Sequence, residues 1–191
     1  MRVLYNSCVR NRAVFLDRDG VVIEEVHYLS DPRKLKLIPG AARAIASLRE
    51  AGFKVIIVSN QSGVGRGYLT LATLKRIHQK LARELKAKGA RLDALYYCPH
   101  APEKRCACRK PKLEMLRRAR RRFSLDFKSS CFVGDTTTDL KTARDAGCKA
   151  LLVRTGKAGK DGMFKIKPQR TFADIARAAE WIIRDVARRS S

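Results

Sequence analysis

Four short, almost wholly apolar runs constrain what this 191-residue chain can fold into. They are Ala13 to Leu16, Phe53 to Val58, Cys131 to Val133 and Ala150 to Val153. A strand with one face in water alternates polar and apolar side chains, whereas a strand without alternation is covered on both faces. Leu95 to Tyr97 reads as a further short strand. Helical stretches separate these runs. Ala41 to Glu50 is closed by Gly52, and Thr70 caps a long helix with Leu71, Leu74, Ile77, Leu81 and Leu85 on its core face. Lys112 to Phe123, Thr138 to Ala146 (ended by Gly147) and Thr171 to Ala187 complete the set. Buried strands alternating with helices predict an α/β fold, a doubly wound parallel sheet, as a single domain over residues 1–191. Ligands of such sheets bind beyond the carboxyl ends of the strands.

The polar residues that follow the strands are therefore the candidate site. The first run ends in Asp17-Arg18-Asp19-Gly20. Residues two apart in an extended segment project to one side, so Asp17 and Asp19 can share a pocket. Two carboxylates there attract a hard cation such as Mg²⁺. One can act as nucleophile while the other serves as acid and base. Turns and calcium loops carry the same short motif, and that reading stands beside the catalytic one. The second run leads into Ser59-Asn60-Gln61-Ser62-Gly63-Val64-Gly65-Arg66-Gly67. A hydroxyl and backbone amides there can cradle phosphate oxygens; a plain flexible loop is the alternative. Gly134 and Asp135 follow the third run and would add a third carboxylate. Asp139 either holds Lys110 or its loop, or interacts with a helix dipole.

Six cysteines are present: Cys8, Cys98, Cys106, Cys108, Cys131 and Cys148. Cys98, His100, Cys106 and Cys108 crowd into residues 98–108. Three thiolates and one imidazole make a closed tetrahedral set for a structural Zn²⁺. Unliganded thiols in a surface loop are the alternative. This inserted loop runs directly into Arg109-Lys110-Pro111 and would fix the backbone that presents Lys110. Cys131 and Cys148 read as buried, inert thiols.

Together the Asp17-x-Asp19 segment, Ser59, Lys110 and Gly134-Asp135 with Asp139 resemble the haloacid dehalogenase superfamily of phosphatases, over nearly the whole chain. The resemblance implies a Rossmann-like core with little or no cap domain. It implies Asp17 as the nucleophile that forms an aspartyl-phosphate, and Asp19 as general acid and base. Ser59 and Lys110 would stabilise the transferring phosphoryl group. Mg²⁺ would bind Asp17, the backbone carbonyl of Asp19, and Asp135. The added zinc loop resembles the histidinol-phosphatase and heptose-bisphosphate-phosphatase subfamily. Within it, Ser59 to Gly63, Arg66-Gly67 and His27-Tyr28 point to the heptose-bisphosphate side and to hydrolysis at C7. That resemblance implies substrate contacts from Glu25, Val26, His27, Tyr28, Asn60, Gln61, Ser62 and Arg109; the charge of Arg66 makes it a further candidate for holding a second phosphate. Thr136 stands where some members carry a lysine, and the zinc loop is short, as in histidinol phosphatases. Histidinol phosphate therefore stays open as a substrate. So does a polynucleotide 3′-phosphate, because superfamily members acting on DNA have a similar Asn-Gln-x-Gly-x-Gly-Arg-Gly stretch. His78, beside core position Ile77, is assigned no role.

The net charge is +24, from 42 basic and 18 acidic residues. Its densest run, Arg117, Arg118, Arg120, Arg121 and Arg122, falls on the helix whose apolar positions are Leu113, Leu116, Ala119 and Phe123. This reads as a solvated face, since no aromatic residues interleave as a stacking platform requires. Nucleic acid is expected only as a weak, non-specific partner. No apolar run approaches the ~20 residues that span a bilayer. Residues 1–12 hold three arginines without a long apolar stretch, a poor secretory signal, and are expected to be flexible. The expectation is a cytoplasmic monomer, without a membrane partner, acting on a small phosphorylated sugar.

Overall fold

A computed structural model describes residues 11–190. The strands are β1 (Ala13–Leu16), β2 (Lys54–Asn60), β3 (Ala94–Cys98), β4 (Cys131–Gly134), β5 (Lys149–Val153) and β6 (Arg170–Phe172). The helices are α1 (Ala41–Glu50), the single turn α2 (Ser62–Gly65), α3 (Leu71–Ala87), α4 (Glu114–Phe123), α5 (Thr137–Ala146) and α6 (Ile175–Ser190). The strands form one sheet in the order β3-β2-β1-β4-β5-β6, every pairing parallel.

Alternate residues of each strand feed two cores. Val14, Leu16, Val55, Ile57, Val133, Leu151 and Val153 pack with Ile45 and Leu48 of α1, Ile77 and Leu81 of α3, and Ile182 of α6. Ala13, Phe15, Ile56, Val58, Phe132 and Leu152 pack with Met115 and Leu116 of α4 and Leu140 of α5. Each fully buried leucine or isoleucine contributes about 1.5–3 kcal/mol relative to exposure. The crossovers from β1 and β2 run on the first face, and those from β3 and β4 on the second. The chain thus changes faces between β1 and β4, opening a crevice at their carboxyl ends.

Two expected elements differ. The last helix does not begin at Thr171. Residues 170–172 form the edge strand β6, with Thr171 paired to Leu152. Threonine and phenylalanine suit a pleated surface, and their pairing satisfies the otherwise open edge of β5. The helix starts only after Asp174, whose carboxylate accepts from the Arg177 amide at 2.9 Å. The fourth helix begins at Glu114 rather than Lys112, whose amide instead closes a turn onto the Arg109 carbonyl at 2.9 Å.

Cys8 and most of the segment 1–12 lie outside the described residues. Within that segment, Asn11 donates to the Phe123 carbonyl and Arg12 to the Ala51 carbonyl, each at 3.0 Å. Cys131 and Cys148 are buried, as expected. Among the described residues no helix is long and apolar enough to cross a membrane.

Candidate active site

The Asp17 amide donates to the Val133 carbonyl at 3.1 Å, so the residues that follow β1 and β4 meet. Asp17, Asp135 and Asp139 each bring a carboxylate oxygen within 4.8 Å of the others. Lys110 Nζ sits 3.0 Å from Asp17 Oδ2 and 2.7 Å from Asp139 Oδ1. Burial alone would push this ammonium down, but Asp139 and Asp17 outweigh it and hold its pKa above the usual lysine value. The carboxylates go the other way. Burial, helped by Asp139 and Asp19 and opposed by Lys110, pushes Asp17 up to about 7. Burial, with the charges of Asp17 and Asp139, pushes Asp135 up to about 8. Crowded, desolvated carboxylates with one ammonium among them are short of positive charge, which a divalent cation supplies.

Asp139 holds Lys110 and also caps α5. Its Oδ2 accepts from the Thr136 amide and hydroxyl at 3.2 and 2.6 Å, closing a capping box. Both of its expected roles are therefore filled, and Thr136 serves the helix start. Asp17 and Asp135 remain to offer oxygens to a cation. Around Asp135 the backbone is close. Gly20 and Gly156 take φ of +74° and +78°, and a Cβ on either would lie 2.6 or 2.4 Å from Asp135 Oδ2. Only glycine fits both the conformation and the space. The Lys157 amide adds a 2.7 Å hydrogen bond to the same oxygen.

Ser59, 1% exposed, is the penultimate residue of β2 and lies beside this cluster. Gln61 Nε2 donates to Ser59 Oγ and to Asp19 Oδ2, both at 2.8 Å. Asn60 brackets the backbone of Lys110: its Oδ1 accepts from the Lys110 amide at 2.9 Å, and its Nδ2 donates to the Lys110 carbonyl at 3.2 Å. Asn60 thus presents Lys110 to the pocket. Tyr28, with φ of 53°, lies between His27 and Tyr68, ring centroids 4.5 Å from each. Asp19, Ser59, Asn60, Gln61, Lys110, His27 and Tyr28, with Glu25, Val26, Ser62, Arg66 and Arg109, line one cavity of about 960 Å³. Arg66 reaches across its rim to Glu103 at 3.3 Å.

Beside the cavity the Cys98, His100, Cys106 and Cys108 donor atoms also lie within 4.8 Å of one another. The sulfurs are 3.1 to 3.5 Å apart, and His100 Nδ1 is 3.6 and 3.3 Å from Cys98 and Cys108 Sγ. Four soft donors so gathered can surround one zinc ion. The loop is tied to the phosphate side: the Gln61 and Gly65 amides donate to the Cys98 and Pro99 carbonyls at 2.7 and 2.8 Å.

The family model described as haloacid dehalogenase-like hydrolase matches residues 14–92, and the model described as HAD-hydrolase-like matches residues 107–178. The D-glycero-beta-D-manno-heptose-1,7-bisphosphate 7-phosphatase of Bordetella bronchiseptica is 38% identical over 177 residues, 91% of this chain and 99% of the relative. The chain belongs to the haloacid dehalogenase-like hydrolases. It is a phosphatase of that family, a hydrolase of phosphate monoesters. The D-glycero-D-manno-heptose-1,7-bisphosphate 7-phosphatase of Thermosynechococcus vestitus is 40% identical over 93% of this chain and 98% of the relative. The crystal structure of the B. bronchiseptica D,D-heptose 1,7-bisphosphate phosphatase, complexed with magnesium and phosphate, has a TM-score of 0.84 at 38% identity. It covers 92% of this chain and 99% of that one.

Some parts of this phosphatase site carry no signal in the motifs. Thr155 Oγ1 donates to the Gly20 carbonyl at 2.7 Å. Asp161 accepts from the Thr137 and Thr138 amides at 2.6 and 3.3 Å, pinning the loop after β5 to the start of α5. The rule that polar residues after strands form the site, applied to Thr155-Gly156-Lys157, would have found this loop.

Proposed function

We propose that this single-domain phosphatase hydrolyses the C7 phosphate of D-glycero-D-manno-heptose 1,7-bisphosphate through an aspartyl-phosphate on Asp17. The observation that carries the reading is the meeting of Asp17, Asp19, Ser59, Lys110 and Asp135 in one cavity, in a chain matched over 91% of its length by a heptose-bisphosphate phosphatase. Asp17 attacks phosphorus, and Asp19 protonates the departing sugar oxygen. Asp19 then takes a proton from the water that releases phosphate. Ser59 and Lys110 donate to the phosphoryl oxygens, and Gln61 keeps Ser59 and Asp19 in register. Mg²⁺ on Asp17, Asp135 and the Asp19 carbonyl supplies charge neutralisation for an anionic nucleophile meeting an anionic ester.

The zinc set on Cys98, His100, Cys106 and Cys108 is structural, since a closed shell leaves no position for chemistry. Selectivity falls to groups that hold the rest of the substrate: Arg109 for the second phosphate by bidentate hydrogen bonds, and Glu25 to Tyr28 with Ser62 for the sugar. A cationic amine, as on histidinol phosphate, is disfavoured by such a basic rim. The protein acts as a cytoplasmic monomer. The test compares kcat/KM for heptose 1,7-bisphosphate, histidinol phosphate and 3′-phosphorylated DNA. If either of the last two is the best substrate, the sugar assignment fails while the phosphatase stands.

A further inference from the structure

Arg18 lies between the two aspartates of the first motif, yet it is 1% exposed. A buried guanidinium needs its donors met. Its Nε and Nη2 grip the two oxygens of Asp19 at 3.1 and 2.8 Å. Its Nη1 lies 3.3 Å from Nε2 of His78. A guanidinium offers donors and no acceptor, so Nε2 of His78 is the accepting nitrogen and the ring proton is on Nδ1. Burial, then the charge of Arg18, presses the imidazole down to about 4, with Asp19 opposing. The ring is a neutral acceptor at neutral pH. His78 belongs to α3, and its ring sits 5.0 Å from that of Tyr97 on β3. A chain of contacts thus runs from α3 and β3 through Arg18 to Asp19, whose Oδ2 also accepts from Gln61.

We infer that His78 is a positioning residue: by accepting from Arg18 it fixes the guanidinium plane, and through it the orientation in which Asp19 meets the leaving-group oxygen. The inference rests on the assignment of Asp19 as the proton donor. In that step the bond from phosphorus to the leaving oxygen breaks as the bond to Asp17 forms, and the Asp19 proton goes to the departing oxygen. In the next, water attacks phosphorus, gives a proton to Asp19 and releases inorganic phosphate from Asp17. A primary alkoxide needs that proton to leave; p-nitrophenolate does not. A misdirected Asp19 therefore slows alkyl esters selectively, whereas general damage to the fold slows both.

The experiment measures kcat/KM, which reports the steps through aspartyl-phosphate formation, for a primary alkyl phosphate and for p-nitrophenyl phosphate. His78→Leu is expected to lose about ten-fold on the alkyl ester and under about two-fold on the aryl ester. His78→Gln, whose amide oxygen can accept from Arg18, recovers most of the loss. Asp19→Asn shows the same selectivity more deeply. Equal losses on both esters, no loss, or glutamine no better than leucine overturns the role of His78. An unselective Asp19→Asn overturns the proton-donor assignment, and this inference with it. Nitrogen NMR of the wild-type protein needs no variant: the Nδ1–H tautomer is expected between about pH 5 and 8. An Nε2–H tautomer or an imidazolium there overturns the inference.

Discussion

Asp17 has one oxygen against Lys110 and, as the Asp17→Asn amide, would be too weak a nucleophile to form an acyl-phosphate. That substitution is expected to lower kcat by roughly three orders of magnitude or more. The melting temperature should hold, because the change removes charge from a crowded site. Appreciable turnover in the purified variant would end the nucleophile assignment. Gly156→Ala tests the space around the metal position. The new Cβ would stand 2.4 Å from Asp135 Oδ2 and 2.7 Å from the Gly20 Cα, both too close. Asp135 must shift, and the Mg²⁺ concentration for half-maximal activity should rise about 10–100-fold; an unchanged requirement would show that Asp135 does not hold the ion. Asp17, Asp19, Ser59 and Asp135 were legible in the sequence because each stands at the carboxyl end of a strand with a side chain suited to phosphoryl chemistry, whereas Lys110 was legible only through the family resemblance. Arg18 and His78 were not, since their partnership joins positions 60 residues apart.

At the scale of elements, the zinc loop is expected to carry one tightly held zinc per chain. Cys106→Ser removes one thiolate, and both zinc content and kcat should fall together. The loop carbonyls that hold Gln61 and Gly65 would shift, and with them the backbone leading to Lys110. Elemental analysis finding no zinc in the wild-type protein would contradict this. A second element-level device is Asp93, which joins α1 to β2. Burial raises its pKa, but hydrogen bonds from Arg49 at 3.0 Å and the Val55 amide at 2.9 Å, with Arg49 and Lys54 charges, outweigh it. The carboxyl therefore titrates below its usual 3.8 in the folded protein. A lowered folded pKa contributes stability that is present above about pH 4 and lost as the pH falls through the folded value. Asp93→Asn should cost about 1–2 kcal/mol at neutral pH. The gap in melting temperature from wild type should close toward pH 3. A gap constant with pH would mean that the charge contributes nothing.

Across the whole molecule the +24 charge is concentrated most densely on α4, where Arg117, Arg118, Arg120, Arg121 and Arg122 are all exposed. Arg118, Arg120 and Arg122 lie 5.0 to 5.4 Å over the rings of Tyr96, Phe127 and Phe123, and Arg121 pairs with Glu114 at 3.0 Å. Their stems cover apolar surface while their heads stay in water. This face is expected to bind random DNA only through phosphates. Affinity should fall by orders of magnitude between about 50 and 200 mM salt, while kcat on the sugar phosphate changes far less. DNA binding that withstands salt would point to built recognition.

The sequence by itself pointed to a covered parallel sheet, because its apolar runs are too short for buried helices, rich in β-branched residues and separated by helical patterns. It also picked out Cys98, His100, Cys106 and Cys108 as a set that could hold zinc, since ligand chemistry follows from residue type and close spacing. The tertiary structure alone decided that residues 170–172 close the sheet edge, because an edge strand is defined by its neighbour and not by its own pattern. It decided that Asn60 brackets Lys110, and that Gly156 leaves room for Asp135. It also decided that a histidine read as idle accepts from the arginine gripping Asp19. These depend on which distant groups the strand order brings within a few ångströms, and no periodicity within one segment encodes such distances.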